Sequence, residues 1–181
     1  MTQNPSRPPP PPQGTRPTLE DSVRPYFAYS TTLDPAGMAS VLGTGLVAEA
    51  LDVEIIYDQP SATWGGRIAG LASQKGQSVY GLFFEVPVER WPRVRKHEAE
   101  TTGASEECTV WVRLPAEGRV IQATAFTTAP SHSSSEGQVS ERFVDALVEA
   151  AARARLPESY LEKLTAESLI LKRIQGFRPS R

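Results

Sequence analysis

Tyr26-Phe27-Ala28-Tyr29-Ser30-Thr31-Thr32-Leu33-Asp34 is the stretch on which the reading of this chain turns. Its aromatic half suits a pleated, half-buried surface. Ser30, Thr31 and Thr32 then offer hydroxyls and backbone N–H groups. Asp34 before Pro35 has the form of a helix start, Asp as N-cap and Pro at the first helical position. A strand that feeds a polar loop and a helix N-terminus is a place where an anion can sit. The alternative is an ordinary buried strand followed by a capped helix, and these nine residues alone leave both open.

Outward from that stretch, the spacing predicts a first strand over Val23–Tyr29 and a helix from Pro35 to about Leu42, with Met38, Val41 and Leu42 on one face. Alternation of Val53, Ile55 and Tyr57 predicts a strand over Leu46–Tyr57, closed by a turn at Asp58–Ser61. Trp64–Ala72 and Ser78–Val86 read as two strands of a hairpin closed around Lys75-Gly76. Gly81, inside so apolar a segment, marks a bulge, a close backbone approach or a ligand contact. A helix follows from Val88 to about Glu100. Glu107–Leu114 and Arg119–Thr127 alternate as a second hairpin. A polar loop over Ala129–Gln138 leads to an amphipathic helix over Val139–Arg155, with Phe143, Leu147 and Ala151 in register. Leu156–Leu164 restarts a helix, and Ala166–Ile174 adds a turn or two. The hairpins, set among helices rather than in regular βαβ units, predict an α+β fold: a small mixed, mostly antiparallel β-barrel with flanking helices.

Composition narrows the function classes. Half of the 16 prolines lie between Pro5 and Pro25, so residues 1–22 read as a disordered Pro-rich tail, with one domain over 23–175 and a short tail over 176–181. The tail is either a flexible extension or a ligand for a proline-binding module. A net charge of −2 with intermixed signs argues against nucleic acid. No apolar run reaches membrane-spanning length, and no secretory h-region opens the chain. A lone cysteine, Cys108, forms no internal disulfide and fits a reducing, cytoplasmic setting.

The usual chemical motifs are missing. His97, His132 and Cys108 have no metal-ligand spacing. There is no phosphate loop, dinucleotide fingerprint or Gly-x-Ser-x-Gly elbow, so neither metal nor cofactor is expected. What remains is a carboxylate. Trp91, Val94 and Glu98 share one face of the predicted helix, so Glu98 faces inward with the apolar pair. Buried without a partner, it would rise in pKa toward the range a general base uses. The alternatives are an ion pair with Arg95 or a place at the rim. Glu98 and an anion-friendly loop together suit proton transfer on an anionic substrate.

At this point the residues resemble a known family. Tyr26–Leu33 is similar to the Tyr-Phe-Ala-Tyr-Gly-Ser-Asn-Leu signature of gamma-glutamyl cyclotransferase-like proteins. Val79–Val86, the helix Trp91–Glu98 and Leu156-Pro157-Glu158-Ser159-Tyr160-Leu161-Glu162-Lys163-Leu164 follow in the family's order, so the resemblance spans roughly Tyr26 to Leu164. It implies a small mixed barrel that cyclises a gamma-glutamyl group to 5-oxoproline and releases an amine or amino acid. It implies Glu98 as general acid/base, with Tyr29, Ser30, Thr31, Thr32, Leu33 and Gly81 around a small-molecule substrate that carries a gamma-glutamyl-like group. Three departures stand out. Ser30-Thr31-Thr32 replaces Gly-Ser-Asn, Ala99 follows the acid where the family has Gly, and a family tyrosine is missing from Ala104–Thr109. Glu100 is the competing carboxylate if the alignment slips. A catalytically altered or inactive small-molecule-binding member of the same fold is the second expectation.

Overall fold

The computed structural model describes residues 22–34, 42–103 and 106–176. Five strands, β1 (Val23–Ala28), β2 (Leu46–Ser61), β3 (Gly66–Pro87), β4 (Glu106–Leu114) and β5 (Arg119–Thr127), form one sheet in the order β1-β3-β2-β4-β5. The sheet closes on itself through a parallel pairing of β1 with β5 at Tyr26 and Thr124; the other pairings are antiparallel. Three helices flank it among the described residues: α1 (Trp91–Thr101), α2 (Glu141–Arg153) and α3 (Glu158–Gly176). This is the expected α+β architecture.

β1 is buried on both faces, with Tyr26 and Phe27 fully enclosed, which is why its aromatics run consecutively rather than alternating with polar residues. β4 behaves differently. Val110, Val112 and Leu114 point inward while Trp111 and Arg113 stand in solvent, the pattern of a sheet with one wet face. Ser140 caps α2 by accepting from the Phe143 N–H at 3.2 Å, and Phe143, Leu147 and Ala151 form the buried stripe the spacing predicts.

The sheet departs from the sequence reading in two places. β2 does not stop at Tyr57; it runs on through Asp58-Gln59-Pro60-Ser61, and the chain turns after Ser61 instead. The turn-forming residues are accommodated because Asp58 takes hydrogen bonds from Thr128 (3.0 Å) and Ser133 (2.7 Å) and because the register shifts between Tyr57 and Gln59. The hairpin around Lys75-Gly76 is also corrected. Residues 66–87 form one strand, and both of its halves pair with β2 rather than with each other, Val53 opposite Ser73 and Leu51 opposite Ser78. The residues between swell out as a bulge. Gly76 there has φ +80° and donates its N–H to Asp52 Oδ1 at 2.7 Å. At the C-terminal end, Glu158–Gly176 is one unbroken helix rather than two short pieces. The expected helix over Pro35–Leu42, with Met38 and Val41, lies outside the described residues except for Leu42, as do residues 1–21 and 177–181 of the two expected tails.

Candidate functional site

The first strand ends at Ala28, and the chain passes through Tyr29 and Ser30 into a single 3₁₀ turn, Thr31–Leu33. Within the turn Leu33 N–H donates to Ser30 O (2.9 Å) and Asp34 N–H to Thr31 O (3.2 Å), so the N–H groups of Thr31 and Thr32 are not used by it. Both α1 and α2 pack against this turn. Ser30, Thr31 and Thr32 are buried, and none of their three hydroxyls has a hydrogen-bond partner. A buried donor left unmade costs roughly 1–3 kcal/mol, so three in consecutive residues form a cluster that folding alone does not reward.

Beside the turn lies the carboxyl predicted from helical spacing. Trp91, Val94 and Glu98 are the buried residues of α1, and Glu98 is 4% exposed. Tyr26 O–H donates to Glu98 Oε1. Thr102 O–H lies 2.9 Å from the Glu98 backbone carbonyl and 3.5 Å from Oε2, so its single proton favours the carbonyl. Burial pushes the Glu98 carboxyl up to about 7, and Tyr26, Thr32 and Thr102 pull in the opposite direction. Thr32 acts by proximity, since its hydroxyl does not reach hydrogen-bond geometry. Burial, reinforced by the Glu98 charge, holds the Tyr26 phenol well above its ordinary value, so Tyr26 stays a donor. A carboxyl poised near neutrality can both take and return a proton.

The alternatives left open by the sequence separate cleanly. Arg95 pairs with Glu107 at 2.9 Å, not with Glu98. Glu100 is exposed and lies 3.7 Å from Lys96. Glu98 is therefore the inward carboxyl of α1. Thr32 and Glu98 come together. Leu33 is buried beside a cavity that Glu98 does not line. The Tyr29 hydroxyl is committed to Phe126 O at 2.8 Å. Gly81 is accounted for by packing: a Cβ there would lie 2.1 Å from Ala28 O and 2.7 Å from the Phe27 ring. Among the described residues no group of three or more His, Cys, Asp or Glu side chains could hold a metal.

The sequence reading missed the groups that hold the acid. Thr102 is one turn beyond Glu98, a spacing that could have revealed it. Tyr26 is 72 residues away and needed the fold. Also missed was the clamp on α1. Glu107 accepts from Trp91 Nε1 (3.1 Å), forms an ion pair with Arg95 (2.9 Å) and accepts from Arg24, whose guanidinium covers the Trp91 ring at 4.1 Å. At the other end Trp64 Nε1 donates to Thr101 O (3.1 Å) and Gln59 Nε2 to Thr102 O (2.6 Å). Glu107→Ala is expected to lower stability by about 2 kcal/mol, since hydrogen bonds to a charged group contribute roughly 1.5–3 kcal/mol and Arg95 is mostly solvated. Urea denaturation checks this; a change below about 0.5 kcal/mol would show that the clamp contributes little to fixing the helix.

The comparisons with known proteins bear on the fold. The fold is that of the gamma-glutamyl cyclotransferases. A structure described as gamma-glutamyl cyclotransferase superposes with a TM-score of 0.66 at 22% identity, covering 80% of this chain and 87% of that one. An uncharacterised human protein gives 0.65 at 22% identity, with 80% and 88% covered. A yeast gamma-glutamyl cyclotransferase specific to glutathione gives 0.59 at 15% identity, with 87% and 97% covered. In sequence, residues 78–164 match the model of the AIG2-like family. Together these show the gamma-glutamyl cyclotransferase fold and, over residues 78–164, a sequence likeness to the AIG2-like family. No curated protein sequence matches it. No helix among the described residues is long and apolar enough to cross a membrane.

Proposed function

We propose that the chain cyclises a gamma-glutamyl group to 5-oxoproline with release of an amine or amino acid. The observation that carries this reading is the buried Glu98 carboxyl, poised at about 7 beside a turn with three unpartnered hydroxyls. Glu98 takes a proton from the substrate's α-ammonium. The freed amine attacks the γ-carbonyl, Glu98 returns its proton to the departing nitrogen as the C–N bond to the leaving group breaks, and the ring nitrogen loses its extra proton to the released amine or to solvent. The Ser30, Thr31 and Thr32 hydroxyls donate to the substrate's α-carboxylate, so attack is intramolecular and aimed. Tyr29 and Leu33 fix the two ends of that turn, and Gly81 lets the end of β1 seat against β3. No cofactor enters this scheme. The half-buried, unpaired Cys108 fits a cytoplasmic setting.

The test is 5-oxoproline release from a panel of gamma-glutamyl amides by the purified protein. Tyr26→Phe adds a pH readout. Tyr26 donates to the carboxylate and so lowers the Glu98 pKa; without it the pKa rises, and the rising limb of kcat/KM against pH moves to higher pH. An unchanged pH profile would detach Tyr26 from the acid's titration.

The second reading, a binding protein without turnover, is favoured by one observation: Thr32, with a branched, stiff side chain, is buried against the acid. It predicts that gamma-glutamyl compounds raise the melting temperature while no 5-oxoproline forms.

A further inference from the structure

A cavity of about 260 Å³ opens between the 3₁₀ turn and the end of α2. Among the described residues its floor is apolar, made by Leu33, Leu82 and Phe84, and Asp34, Arg153 and Arg155 stand at its edge. The two arginines are not equivalent. Arg153 is engaged, with Asp34 at 3.2 Å and Glu149 at 3.8 Å. Arg155 is exposed, and among the described residues no carboxylate lies within ion-pair distance of it.

Arg155 also occupies a backbone position that a long side chain disfavours. It follows the last turn of α2 with φ +55°, and the chain closes over it through Leu156 N–H to Ala151 O at 3.2 Å. Glycine is the usual residue at such a left-handed helix end. A strained position occupied by a cation, beside a cavity whose one carboxylate among the described lining residues, Asp34, is paired with Arg153, gives up stability without a folding reason. Such departures collect at functional sites.

We propose that this cavity binds a small anionic amphiphile, its apolar body over Leu33, Leu82 and Phe84 and its anionic head on the Arg155 guanidinium. The volume falls just under the roughly 300–1,000 Å³ of sites for drug-sized ligands, so the occupant is a short molecule. Arginine's fork matches a two-oxygen anion, which points to a carboxylate head. The site does not depend on proton transfer at Glu98.

The experiment titrates hexanoate into the full chain by calorimetry, with hexanol and acetate as partial probes. Hexanoate is expected to bind at least tenfold tighter than either, because only it satisfies both floor and rim. Arg155→Gly separates binding from structure. It relieves the left-handed strain, so the melting temperature rises, while hexanoate affinity falls at least tenfold. Thr44→Trp, at an exposed position on the edge of the cavity, blocks entry and abolishes binding. Glu98→Gln binds hexanoate as the unaltered chain does, which keeps this test apart from the cyclotransferase assay. Equal binding of hexanoate and hexanol, or full affinity in Arg155→Gly, overturns the proposal. So does a lower melting temperature in that variant.

Discussion

Glu98→Gln is expected to cut 5-oxoproline release by about 10³-fold while the protein stays folded. General acid–base catalysis contributes roughly 10²–10⁴-fold, and Gln neither takes nor returns the proton. Its amide carbonyl still accepts from Tyr26, so the helix keeps its seat. Activity within tenfold of the unaltered chain would remove Glu98 from the chemistry. The same variant has a thermodynamic signature. Burial raises the folded-state pKa to about 7 from an ordinary value of 4.5. Between those two values the unfolded chain has released the proton and the folded chain still holds it, so stability falls as pH rises. The loss approaches about 3 kcal/mol by pH 8, at about 1.4 kcal/mol per pKa unit. Glu98→Gln lacks this slope. Urea midpoints at pH 5 and pH 8 should diverge for the unaltered chain and coincide more closely for the variant. Parallel behaviour of the two would mean that the carboxyl is not protonated preferentially in the fold.

Gly81→Ala is the substitution with the largest expected effect on stability. The added methyl would lie 2.1 Å from the Ala28 carbonyl oxygen, with Phe27 ring carbons at 2.7 and 2.8 Å on the other side. The ring cannot swing away, because Phe27 is fully buried and stacks on Tyr29 at 6.5 Å. Overpacking typically costs about 1–3 kcal/mol, and a clash with backbone that cannot yield lies beyond that range. A loss of about 4 kcal/mol or more is expected, a large fraction of the roughly 5–15 kcal/mol that holds a typical domain folded. Gly76→Ala is the control. Nothing lies within 4 Å of a Cβ at Gly76, whose only penalty is its φ of +80°, so about 1–2 kcal/mol is expected. Similar urea midpoints for the two variants would mean that β1 shifts easily against β3.

What the sequence made legible was whatever depended on short spacing. The inward acid followed from Trp91, Val94 and Glu98 on one helical face, and the second hairpin from the alternation of Val110 and Val112 across the turn at Pro115–Gly118. The α2 stripe followed from Phe143, Leu147 and Ala151. What escaped was set by partners far along the chain. Asp58-Gln59-Pro60 has the composition of a turn, yet Thr128 and Ser133, some 70 residues later, satisfy Asp58 and let the strand continue. Lys75-Gly76 has the composition of a hairpin tip, but a long β2 offers both flanking segments a better partner than each other. Tyr26 was visible as a strand aromatic; that its hydroxyl meets Glu98 needs the closed sheet.

That closure also orders events in time. β1 carries the turn of the candidate site at its end, yet in the sheet it lies between β3 and β5, the latter reached only at Arg119–Thr127. A ribosome delivers this strand first and both of its neighbours later, so the nascent chain must hold an aromatic edge unpaired until they emerge. Pairings this distant are slow to form. The hydroxyl-bearing turn is therefore assembled among the last parts of the molecule to mature, and shielding of that edge during synthesis becomes part of how the protein reaches a working form.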